Sequence, residues 1–143
     1  MPGLTLEGIA HRYWRGPLVL DGIDATFGAG ETVALMGPSG SGKTTMLSIC
    51  GLLTQPTSGT VSIDGEPVST RGKDRDRLRA ELFSWVFQTV NVLGTRSARD
   101  NTSLGLLARG IPRPEASRAS DVALSSVGLA HRAADRVTDL SGG

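Results

Sequence analysis

Gly37-Pro38-Ser39-Gly40-Ser41-Gly42-Lys43-Thr44 concentrates more ligand-binding chemistry than any other stretch of this chain. Closely spaced negative oxygens are best held by backbone N–H groups, which crowd a site less than side chains do. Glycines at positions 37, 40 and 42 let the backbone curl and aim its amides inward. A helix opening near Lys43 adds the positive end of its dipole. The Lys43 ammonium is a full charge able to bridge outer phosphate oxygens, and the Thr44 hydroxyl suits a Mg²⁺ ion. Ser39 and Ser41 are small enough not to obstruct the wrap. The pattern predicts a polyphosphate ligand. The plain alternative is a glycine-rich connection with an exposed lysine, and that alternative does not explain why an apolar strand precedes the loop and a helix follows it.

The elements that must position this loop are readable on either side. Thr32–Met36 is a short, nearly continuous apolar run ending at Gly37, which predicts a strand buried on both faces. Residues 44–53 predict a helix leaving the loop. Upstream, Leu4, Leu6 and the stretch 18–27 alternate as early strands, and Gly28-Ala29-Gly30 is a turn. Downstream, Gln55 to Gly59 carries turn chemistry, and residues 60–63 alternate up to Asp64-Gly65, which predicts a hairpin turn. Residues 71–82 predict an exposed helix. Trp85-Val86-Phe87 predicts a second short buried strand. Residues 97–108 and 114–127 predict helices, with Pro114 suited to a first helical position. A strand-rich part to about residue 90 is therefore expected to precede a helical part from about residue 91 to 143.

The 143 residues suffice for one domain with a core. With 38% hydrophobic and 20% charged residues the composition is that of a globular chain, and a net charge of +1 gives no strong pull toward nucleic acid or an anionic membrane. Apolar runs fall far short of the roughly 20 residues that cross a bilayer, so a membrane role would come through a partner. Cys50 is the single cysteine, which rules out an internal disulfide and fits a reducing cytoplasm. Its apolar surroundings predict a buried, inert thiol.

The loop is one of several motifs in a familiar order. Leu20-Asp21-Gly22-Ile23, Gly30-Glu31, the loop followed by Thr45, Pro56-Thr57-Ser58-Gly59-Thr60-Val61 with Asp64-Gly65, Phe87-Gln88, and the terminal Leu140-Ser141-Gly142-Gly143 together resemble an ATP-binding-cassette (ABC) ATPase over essentially the whole chain. That resemblance implies an α/β fold. It would be a P-loop NTPase core of the ABC type, with an antiparallel β subdomain and a helical subdomain, the C-terminal half missing.

It also implies ATP and Mg²⁺ as ligands. Tyr13 stands where the family places an aromatic that stacks on adenine, with Trp14 as the alternative ring and a strand-edge packing role as the plain one. Gln88 stands where the family's glutamine touches Mg²⁺ and the attacking water, which would make Thr44 and Gln88 the metal-contacting pair. Ser141, Gly142 and Gly143 resemble the start of the signature that binds the γ-phosphate held by an opposite subunit. The family's metal-binding aspartate, catalytic glutamate and histidine lie beyond that signature, so no catalytic residue is assigned and hydrolysis by these residues alone is not expected. The expected partners are a transmembrane permease subunit and a second ATPase subunit, with no nucleic acid. The expected location is the cytoplasmic face of the membrane. Phe87-Gln88, Asn91, Leu93 and Asp100-Asn101 are similar to the macrolide-efflux and lipoprotein-release branch, from which Val92, Gly94 and Arg99 depart. A non-transport cassette of the DNA-repair or translation type, a truncated gene product and a small-molecule P-loop kinase remain open alternatives.

Overall fold

Strand β1 (Leu4–Arg12) lies at the centre of the first half of the molecule and shows how one glycine changes what a strand presents. Strict alternation would put Leu4, Leu6, Gly8 and Ala10 on one face. Instead Leu6, Ile9 and His11 are the buried positions. The pairing with β2 (Leu18–Phe27) slips between Leu6 and Ile9, where Gly8 has a φ of 58°. This is a β-bulge: one extra residue reverses the inside–outside phase of all that follows. The Gly8 N–H donates to the Asp24 carboxylate across the strand pair at 2.6 Å.

The computed structural model describes residues 3–88 and 91–140. They fall into two units, Met1–Trp85 and Val86–Gly143. In the first unit, β1 is flanked by β2 on one side and by β3 (Ser58–Ile63) on the other, and β4 (Glu66–Pro67) completes an antiparallel sheet in the order β2-β1-β3-β4. Asp64 and Gly65, with φ of 50° and 82°, make the two-residue hairpin turn between β3 and β4, as the Asp-Gly pair demands. Gly59 is obligatory for a different reason: a Cβ there would lie 2.5 Å from the Gly8 carbonyl oxygen, so β3 can approach β1 only without one.

Helix α1 (Lys43–Cys50) packs across this sheet. Met46, Ile49 and, in the turn beyond, Leu52 join Leu6, Ile9, Leu20 and Val61 in the core. Burying side chains of this size stabilises by about 1.5–3 kcal/mol each, so this face holds α1 in place. Helix α2 (Gly72–Leu82) buries no residue fully; it carries the surface ion pairs Arg77–Glu81 and Arg79–Asp76, and the Arg79 guanidinium donates to the Leu52 carbonyl at 3.2 Å.

Three sequence expectations are corrected. Residues 32–36 form no strand: Val33, Leu35 and Met36 are 49%, 46% and 85% exposed, and no sheet strand among the described residues pairs with them. A strand buried on both faces needs neighbours on both edges, and the four strands present pair only with one another. Trp85-Val86-Phe87 likewise forms no strand, and Val86 is fully exposed. Cys50 is partly rather than fully buried, and burial pushes its thiol up to about 11.

In the second unit, α3 (Ala98–Ala108) and α4 (Arg113–Ser126) form an antiparallel pair around Ala98, Leu124 and Ala133. Pro114 occupies the second position of α4, one later than expected. The first amides of α3 are all satisfied: Ala98 donates to Asp135, Arg99 to Ala133, and Asp100 to the Ser97 hydroxyl. The Asn101 side chain accepts from the Leu93 N–H at 2.7 Å and donates to the carbonyls of Leu93 and Ser97, which fixes the turn before α3.

Candidate functional site

The loop 37–42 sits between an exposed extended segment and a well-anchored helix. Gly37, Gly40 and Gly42 all have positive φ, at 150°, 80° and 84°. At Gly42 the need for glycine is twofold: the backbone is left-handed, and a Cβ would stand 2.9 Å from both the Leu20 side chain and the Val19 carbonyl oxygen. The floor of the loop therefore presses directly on β2. Gly42 is the N-cap of α1 and supplies no side-chain cap, so the first N–H groups of the helix are left for a ligand or solvent.

The Lys43 ammonium turns back over the loop. It donates to the carbonyls of Gly37 at 2.9 Å and Pro38 at 2.6 Å, with the Ser41 hydroxyl at 3.4 Å. Pro38, Ser39, Gly40 and Ser41 are exposed, as is Thr44 in the first turn of α1. A curled backbone, an uncapped helix start, one ammonium and one hydroxyl at a solvent-open mouth suit a polyphosphate. Among the described residues no group of three acidic, histidine or cysteine side chains is placed to hold a metal ion. The Thr44 hydroxyl is open to a divalent cation that such a ligand would bring.

Thr45, the next residue, is buried, and its hydroxyl meets the Tyr13 hydroxyl at 3.1 Å. This bond ties the end of β1 to the helix that leaves the loop. The Tyr13 ring also meets the His11 ring edge to face, with centroids 4.7 Å apart and planes at 85°. Tyr13 remains 51% exposed, whereas Trp14, in a left-handed conformation in the turn closed by the Gly16 N–H on the Tyr13 carbonyl, is 97% exposed. Of the two rings, Tyr13 is the one joined to the loop's helix.

The other expected site residues belong to the rest of the chain. Gln88 is exposed in a bend of the second unit. Ser141, Gly142 and Gly143 lie outside the described residues. His11 was not legible as a participant from sequence motifs. Its signal is Gly8, three positions earlier, whose bulge turns residue 11 inward.

This is the fold of ABC ATPase cassettes. The bacterial ABC transporter cassette MJ0796, solved as a dimer in a post-hydrolysis state bound to ADP and Pi, superposes with a TM-score of 0.84 at 30% identity, over 97% of this chain and 63% of that one. Residues 20–143 match the ABC transporter family model, and the chain belongs to that family. Among its relatives, the macrolide export ATP-binding/permease protein MacB of Azoarcus sp. (strain BH72) is 43% identical over 99% of this chain and 22% of its own length. The lipoprotein-releasing system ATP-binding protein LolD of Anaeromyxobacter dehalogenans (strain 2CP-C) is 40% identical over 99% of this chain and 62% of its own. The chain thus spans less than two thirds of each of these proteins. No helix among the described residues is long and apolar enough to cross a membrane.

Proposed function

We propose that this chain is the nucleotide-binding part of an ABC exporter and that it takes Mg-ATP at residues 37–45, with about residues 1–90 as the nucleotide-binding core and β subdomain and about 91–143 as the helical subdomain. The observation that supports this best is the Lys43 ammonium at the loop mouth, satisfied by two carbonyls that it would exchange for phosphate oxygens. In this reading the glycine-lined backbone from Gly37 to Gly42 wraps the phosphates, Lys43 holds the outer ones, and Tyr13 takes the adenine on its open face. Thr44 and Gln88 would be the protein contacts of Mg²⁺, which when bound would neutralise phosphate charge. Gln88 also orients the attacking water and senses the permease. Ser141, Gly142 and Gly143 address the γ-phosphate of a nucleotide held by a second ATPase subunit, so that two subunits enclose two ATP molecules and hydrolysis drives a transmembrane partner at the inner face of the membrane.

Residues 1–143 by themselves are expected to bind without turnover, because the sequence offers no carboxylate at the end of a buried strand to activate water. The exporter assignment draws on the relatives, whose names are those of macrolide-export and lipoprotein-release systems. Photolabelling of the intact natural protein with 8-azido-ATP and Mg²⁺ tests the site. ATP and inorganic tripolyphosphate should both compete; labelling that neither displaces would refute it.

A further inference from the structure

The bulge at Gly8 places a histidine where the core expects an apolar residue. His11 is 7% exposed, opposite Leu20 in the β1–β2 pairing, and neither Nδ1 nor Nε2 has a hydrogen-bond partner among the described residues. An imidazole buried in this way is costly to the fold, since an apolar side chain of similar shape would leave no polar atom unpaired. Its ring meets that of Tyr13 edge to face. Tyr13 lies in the bend just beyond Arg12, the last residue of β1, and this bend brings its ring against that of His11. The Tyr13 hydroxyl is held by Thr45, at the start of the loop's helix. The tyrosine is therefore fixed at both ends, by His11 at the ring and by Thr45 at the hydroxyl, while half of its surface stays open.

From this arrangement we infer that His11 is a positioning residue: it holds the Tyr13 ring in the orientation that receives a flat, aromatic nucleobase beside the phosphate loop. The inference rests on the proposed nucleotide site and adds to it the group that orients the base-binding ring. A ring held in advance loses less freedom when a base stacks on it, and aromatic pairs in this geometry strengthen such contacts. The imidazole touches neither the phosphates nor the loop, so its influence should be confined to ligands that carry a base.

The experiment compares Mg-ATP with inorganic tripolyphosphate, which the loop can grip but which has no base. In the intact natural protein, His11→Leu should weaken Mg-ATP binding about fivefold, the scale of one aromatic pair, and leave tripolyphosphate affinity within about twofold, inside the usual scatter of such measurements. His11→Phe, which keeps a ring against Tyr13 without polar nitrogens, should restore ATP affinity. Both variants should melt at or above the temperature of the parent. Unchanged ATP affinity in His11→Leu, equal weakening of both ligands, or failure of His11→Phe to restore binding overturns the inference. So does a lowered melting temperature accompanied by loss of both ligands, which is the mark of a merely structural role. Lys43→Ala is the control on the underlying site: if it weakens both ligands while His11→Leu changes neither, only the role of His11 fails. If it weakens neither, the nucleotide site fails and the inference with it.

Discussion

The phosphate loop has two unlike supports. On its C-terminal side, α1 sets Met46 and Ile49 into the core, ties Thr45 to Tyr13, and seats Gly42 against β2. On its N-terminal side, residues 32–36 run without a neighbouring strand among the described residues, with Val33 and Leu35 half-exposed and Met36 open to solvent. Both flanks are apolar, yet only α1 sets fully buried side chains into the core, whereas Val33 and Leu35 stay half-exposed in a cleft they share with Met46, Leu47 and Cys50. The groups that would meet a ligand, Lys43 and Thr44, sit on the packed side. Their backbone placement is therefore tied to α1 and the sheet.

This contrast can be broken most sharply by trimming one aliphatic side chain on each flank. Ile49→Ala removes a fully buried side chain and should destabilise the first unit by about 2–5 kcal/mol, read as a lowered urea midpoint. Gly42→Ala is next. It forces a left-handed alanine, about 1–2 kcal/mol, and drives a Cβ against β2, so it should reduce both stability and Mg-ATP affinity. Leu35→Ala, on the exposed flank, should change stability by no more than about 0.5 kcal/mol. An effect of Leu35→Ala as large as that of Ile49→Ala would show that both flanks bear on the loop equally.

The smallest effect concerns Cys50, at the end of α1. Burial raises its thiol from 9.0 to about 11 in the folded chain, with a backbone hydrogen bond opposing the shift. The folded state thus keeps its proton where the unfolded state has lost it. Stability from this group is intact below 9.0 and declines as pH rises toward about 11. Partial solvent access keeps the effect small. Cys50→Ala should flatten the alkaline fall of the urea midpoint slightly; a steeper fall in the variant would reverse the assigned sign.

The same contrast explains what could be read from the sequence. The β3–β4 hairpin was legible because Asp64-Gly65 and its alternating flanks are local, and the helices were legible because their periodicity and caps are local. The curled loop was legible because Gly37, Gly40 and Gly42 are contiguous with the helix they lead into, and all three take positive φ. Residues 32–36 were misread because an apolar run states only that neighbours are wanted, not that they are present. Trp85-Val86-Phe87 misled for the same reason. His11 was invisible because the alternation of β1 points it outward until the extra residue at Gly8 is counted. The approach of Tyr13 to Thr45, 32 positions apart, follows from the packing of α1 on the sheet and from no local signal.

Calorimetric titration of the intact natural protein with Mg-ATP, in parent and Lys43→Ala forms, tests the central claim most directly. Saturable binding in the parent that falls at least about tenfold in the variant is expected from the loss of a charged hydrogen-bond donor to phosphate. Equal affinity in the two forms would contradict the account.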